Sequence, residues 1–147
     1  MSDLGLPDCV SLSVCEWDEA ADRVMPLREA VFVVEQGVPP ELEEDEFDPV
    51  SRHIVAALAD GRVIGTGRLL PDGHLGRLAV AADWRARGVG GAVLAALVAE
   101  AGERGMAEVV LHAQTHAEPF YTRRGFVPDG PVFDEAGIPH RLMRRRL

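Results

Sequence analysis

Three extended runs follow one another in the middle of the chain: HIVAALAD from residue 53, RVIGTGRLL from residue 62 and HLGRLAV from residue 74. Only Asp60-Gly61 and Pro71-Asp72-Gly73 interrupt them. Asp-Gly supplies the backbone conformations that tight hairpins demand, so this spacing predicts an antiparallel meander as the centre of the fold. Helical periodicity flanks it. Val89, Val93 and Leu97 recur at i, i+4 beside Leu94, Val98 and Ala101, which predicts a helix over about residues 87–104 that Gly105 ends. Upstream, a first strand over residues 11–17 leads into a helix that Asp18 starts and that runs toward Gln36. Val24, Leu27, Val31 and Val34 form its apolar stripe, with Arg28, Phe32 and Glu35 on a neighbouring face. Pro26 is expected to kink or restart that helix, and Gly37, Pro39 and Pro40 to stop it before a long acidic loop. Downstream, EVVLHAQ (residues 108–114) reads as a strand and residues 118–124 as a short helix. Two last strands are expected over 126–133 and 140–147. The order βα-βββ-α-β-α-ββ indicates an α/β (α+β) domain with a mixed sheet.

A chain of 147 residues without linker or repeat suits one domain over 1–147, with residues 1–8 as a flexible lead-in. All 15 basic residues are arginine, so a Schiff-base lysine and a Walker-type phosphate loop are excluded. The formal charge of −9 argues against a nucleic-acid partner. Cys9 and Cys15 are too few for a disulfide framework or a four-ligand zinc site, and no metal is expected. No apolar run reaches the length of a membrane span, and no signal peptide is visible, so a cytoplasmic protein with no membrane partner is expected.

The segment LAVAADWRARGVGG, residues 78–91, carries the chemistry. A strand ends, a loop brings Arg85 and Arg87, and Gly88, Gly90 and Gly91 open the helix. Bare glycine backbone lets an anion approach the unsatisfied N–H groups of a first helical turn, where the aligned peptide dipoles also favour negative charge. A dinucleotide fingerprint would need glycine where Val93 stands.

The pattern that fits is Arg-x-x-Gly-x-Gly over residues 85–90, preceded by RLAV and followed by Phe120-Tyr121-x-x-x-Gly125-Phe126. In these motifs the chain resembles the GCN5-related N-acetyltransferase (GNAT) superfamily. LREAVFVVEQGVP from residue 27, Glu43-x-Asp45-x-x-Asp48, LHAQTHAEPFYTRRGF from residue 111 and FDEAGIPHRLM from residue 133 are similar to its bacterial ElaA-like branch. The resemblance implies a mostly antiparallel sheet of six to seven strands with helices on both faces and a splay between the fourth and fifth strands. It also implies acetyl-CoA as co-substrate, its pyrophosphate on Arg87, Gly88, Val89, Gly90 and Gly91 with Arg85 close by. Its pantetheine arm would pair with Leu78, Ala79 and Val80, and the N–H of Ala79 or Val80 would meet the developing oxyanion. The acceptor would be a primary amine of a small molecule or peptide, and a homodimer is a reasonable expectation.

By the same resemblance Tyr121, the single tyrosine, protonates the departing thiolate. The proton acceptor is open. His74 is the first choice, with residues 74, 76, 78 and 80 expected on one face; His112, Glu35 and a loop acid are the alternatives. Each residue also has a plainer role: Tyr121 and His112 as packed side chains, His74 as a surface residue beside a turn, the acids of residues 41–48 as a solvated loop. Two other activities fit some residues. Arg28, Phe32 and Glu43-x-Asp45-x-x-Asp48 also resemble acyl-homoserine lactone synthases, and a non-catalytic acyl-CoA-binding module would need only the glycine turn.

Overall fold

The computed structural model describes Pro7 and residues 9–147; apart from Pro7, the lead-in expected at 1–8 lies outside the described residues. β1 (Val10–Cys15) leads to α1 (Trp17–Arg28), which continues as a π-helical segment over Glu29–Glu35, and then to α2 (Pro40–Glu43). The meander is β2 (Arg52–Leu58), β3 (Val63–Leu69) and β4 (His74–Val80). It is followed by α3 (Val89–Glu103), β5 (Glu108–Gln114), α4 (Glu118–Thr122), β6 (Val127–Pro128), β7 (Phe133–Glu135) and β8 (Ile138–Arg146). The strands form one sheet in the order β1-β2-β3-β4-β5-β8-β6, with β7 also on β8. All pairs are antiparallel except β4 with β5.

Helices cover both faces. On β2 the neighbours Ile54 and Val55 point to opposite sides: Ile54 joins the core under α3, and Val55 packs with Trp17, Ala20 and Val24 of α1. Close approach of α3 depends on two glycines of β3. A Cβ on Gly65 would lie 2.6 Å from Val89 Cγ1, and one on Gly67 2.8 Å from Leu97 Cδ1. The helix therefore rests on bare backbone.

α1 runs unbroken through Pro26, and the irregularity comes later, in the π-helical turns. These turns are wider than 3.6 residues and rotate the following side chains off the α-helical stripe. Val31 is buried, whereas Val34, expected on the same stripe, is 78% exposed.

The sheet has eight strands because the end of the chain divides differently. Gly130 at φ 106 follows β6, and Ala136 and Gly137, at φ 53 and 78, turn β7 directly back into β8. Two consecutive positive φ values make a two-residue hairpin that twists with its strands.

The expected splay is present between the fourth and fifth strands. β4 and β5 pair only at His74↔Val110 and Leu75↔Leu111, then diverge. A bulge sharpens the divergence: Arg77, at φ 50, and Leu78 together face Gly67 of β3. It also divides the face expected to be shared by residues 74, 76, 78 and 80. Arg77 reaches the loop after α1, while Leu78 and Val80 lie toward α3, so His74 and Gly76 face the opposite side of the sheet.

Candidate active site

At the end of β4 the Ala81 N–H donates to Ile64 O on β3. N–H directions alternate along a strand, so the Val80 N–H points the other way, into the gap beside β5. A short 3₁₀ turn, Ala82–Trp84, then leads to Ala86 at φ 61 and Gly88 at φ 87, and α3 begins. No side chain caps it; the first helical bond is Ala92 N–H to Gly88 O. The amides of Val89, Gly90 and Gly91 precede that bond and have no partner within the helix.

The arginines divide the work. Arg87 stacks on Trp84, 4.9 Å from the ring centre. Arg85 donates to Val80 O at 3.1 Å and makes two hydrogen bonds, of 2.8 and 2.9 Å, to Glu35. Those bonds hold the Glu35 carboxyl below the usual carboxylate range. Glu35 thus lies with Arg85, outside the large cavity that contains the two histidines. A third arginine escaped the sequence reading. Arg124 stacks on Phe120 at 4.0 Å, donates to Phe120 O, and lies against the turn: a Cβ on Gly91 would come within 2.7 Å of its guanidinium. The missing side chain at Gly91 lets this guanidinium rest on the turn, adding a positive charge beside the free amides.

Beside the wedge is a cavity of about 700 Å³ lined by His74, Arg77, His112, Tyr121 and Glu135 among others. Tyr121, on α4, packs edge-on against Phe120 and Phe126 with centroids 5.1 and 5.9 Å away. Burial pushes its phenol up to about 12, which keeps it protonated at neutral pH. On the opposite face of the sheet, the rings of His74 and His112 meet edge to face at 5.7 Å. His74 Nδ1 lies 3.0 Å from Asp72 Oδ1, and His112 Nδ1 lies 2.8 Å from Glu135 Oε1.

An acetyltransferase (GNAT) domain model matches residues 16–147. The chain belongs to the GNAT family. It is 43% identical to the uncharacterised Bacillus subtilis N-acetyltransferase YjcF over 124 residues, which is 81% of this chain and 87% of that protein. Among solved structures, an acyl-CoA N-acyltransferase of Pseudomonas aeruginosa superposes with a TM-score of 0.83 at 30% identity, covering 92% of this chain and 99% of its own. Escherichia coli ElaA does so with a TM-score of 0.83 at 28% identity, covering 93% and 99%. The protein is a GNAT-family acyltransferase, as the glycine turn and the Phe-Tyr motif implied.

In this GNAT enzyme the acidic loop is only partly solvated. Arg28 donates through Nε to Glu43 and through both terminal nitrogens to Asp48, at 2.7, 2.9 and 3.0 Å. Arg68 bridges Asp45 and Asp48, and Arg77 reaches Asp45 and the Glu43 carbonyl. Three guanidinium groups thus neutralise three carboxylates; Glu41, Glu44 and Glu46 stay exposed. Burial opposes ionisation of Asp45, but Arg68 outweighs it and pulls that carboxyl down to about 2. Among the described residues no group of side chains could hold a metal ion, and no helix is long and apolar enough to cross a membrane.

Proposed function

We propose that this enzyme transfers the acetyl group of acetyl-CoA to a primary amine of a small molecule or peptide by direct attack. The observation that carries the reading is the uncapped glycine turn at the mouth of the β4–β5 wedge, with Tyr121 on one face of the sheet and two histidines on the other. The amides of residues 87–91 hold the pyrophosphate, with Arg87 beside them and Arg85 after release from Glu35. Leu78, Ala79 and Val80 offer the pantetheine arm an unpaired strand edge. Of the two candidate oxyanion donors, the N–H direction favours Val80 over Ala79. Tyr121 supplies the proton to the leaving sulfur, and a histidine of the pair His74 and His112 accepts one from the amine. The place of Glu35 outside the cavity that holds the two histidines, and the engagement of Glu43, Asp45 and Asp48 by three arginines, support a histidine in that role.

Thiol release from acetyl-CoA, followed with spermidine, glucosamine and a tripeptide bearing a free α-amine, tests the reading. Amine-dependent release that falls about 10²-fold in Tyr121→Phe, with CoA affinity retained, is the expected result. A chain that binds CoA but releases no thiol with any of the three is instead a binding module.

A further inference from the structure

Within that amine-acetylating reading, on which this step rests, we infer that His112 is the group that takes the amine proton and that Glu135 is the residue positioning it. His74 stands inside the β4–β5 ladder, opposite Val110. His112 is the first β5 residue beyond the last pair, Leu75↔Leu111, so its side chain stands at the apex of the wedge. It shares a face with Gln114, which bonds Gln36 at the end of the α1 segment. Tyr121 packs instead against Phe126 in the core under α3. The two proton-handling groups therefore occupy opposite mouths of the same gap, one beside the incoming nitrogen and one beside the outgoing sulfur.

Glu135 decides which nitrogen of His112 is available. An ionised carboxylate only accepts hydrogen bonds, so the 2.8 Å contact puts the imidazole proton on Nδ1 and leaves the Nε2 lone pair free. Phe133 holds the ring plane edge-on at 5.2 Å. Both residues come from β7, the strand created by the Ala136-Gly137 turn. The other charged groups around His112 are engaged elsewhere. His140 on β8 approaches Glu135 only to 3.8 Å, and its Nδ1 donates to Ile138 O. On β4 the Asp72 carboxylate that lies 3.0 Å from His74 Nδ1 accepts the His74 backbone N–H instead, and Arg144 on β8 turns to Glu108 and Asp129.

The amine nitrogen forms its bond to the acetyl carbon as the carbon–sulfur bond breaks, with that electron pair on sulfur. The nitrogen's surplus proton passes to His112 Nε2, and sulfur takes the phenolic proton of Tyr121. Solvent then carries one proton from imidazolium to phenolate, giving RNH₂ + acetyl-CoA → acetylated amine + CoA-SH; an ammonium substrate releases one proton more. An amine of pKa near 10.4 is neutral about once in a few thousand molecules at pH 7, which is why an acceptor at this place matters.

The test follows amine-dependent thiol release across pH for the full chain with the same three amines, and CoA affinity by calorimetry. His112→Asn is expected to lower kcat about 10²-fold and remove the acidic limb of the profile, with CoA affinity retained. Glu135→Gln is expected to lower kcat by about tenfold at unchanged KM for the amine, and Glu135→Asp to recover part of the loss. A His112→Asn enzyme that keeps both rate and limb, or a Glu135→Gln defect confined to KM, overturns the assignment. A wild-type chain that binds CoA and acetylates none of the amines overturns the transferase reading itself.

Discussion

Arg85 and Glu35 face each other through two parallel hydrogen bonds, of 2.8 and 2.9 Å, at the edge of the anion-binding turn. The pair is half exposed, so it adds about 0–1 kcal/mol to stability. Its effect on binding is larger. Glu35 competes with the pyrophosphate for the same guanidinium, and Glu35→Gln is expected to tighten CoA binding several-fold at nearly unchanged melting temperature. Calorimetry that finds equal affinity removes Arg85 from the phosphate site.

Below the meander, Asp48 is fully buried between Arg28 and Arg68. Removing its charge leaves buried Arg28 only Glu43, and Arg68 only Asp45, as carboxylate partners, and Asp48→Asn is expected to cost about 3 kcal/mol in urea unfolding. The wild type should show the same network through acid. Despite their burial, hydrogen bonds and charge from the arginines depress Asp45 and Asp48 below their ordinary value of 3.8, Asp45 to about 2. Their contribution is complete above pH 4 and is lost as pH falls from about 4 toward 2. Melts that are flat across that range would contradict the pairing.

Gly65 sets the distance between β3 and α3. Its neighbour Val89 is β-branched and cannot swing away, whereas the atom facing Gly67 is the far end of Leu97. Gly65→Ala is therefore expected to destabilise more than Gly67→Ala, by about 1–3 kcal/mol against less than that. Because Val89 is the first residue of α3, Gly65→Ala should weaken CoA binding as well. Denaturant melts and CoA titrations of the two variants check both orders.

Tyr121 titrates well above the range in which enzymes are assayed. Its phenol stays protonated up to about pH 10, so no alkaline fall in kcat below that point should come from it. A limb near pH 8 or 9 that vanished in Tyr121→Phe would contradict this placement.

Much of this was legible in the residues. Asp-Gly turns marked the meander, the i, i+4 valines and leucine marked α3, and the glycines of residues 88–91 marked an exposed first turn. What stayed hidden depends on backbone geometry or on distant partners. Nothing in the type of Arg77 signals a positive φ, yet its bulge moves Leu78 and Val80 to the other face from His74. Nothing local marks the π-helical turns that expose Val34. The hairpin carrying Glu135 turns on Ala136-Gly137 rather than Asn-Gly or Asp-Gly, so neither β7 nor the contact to His112 could be read from spacing. The acids of the loop looked solvated because Arg28, Arg68 and Arg77 lie far from them in the chain.

CoA titration of Gly90→Val measures the role of the glycine turn most directly. A Cβ there fits, 3.5 Å from Phe120 and Val80, so the fold should survive while the added methyl groups obstruct the amides. Affinity at least about tenfold weaker than wild type, a difference of about 1.4 kcal/mol, with a melting temperature within a few degrees, is the expected result. Unchanged affinity in a folded variant would mean that coenzyme A is held somewhere else.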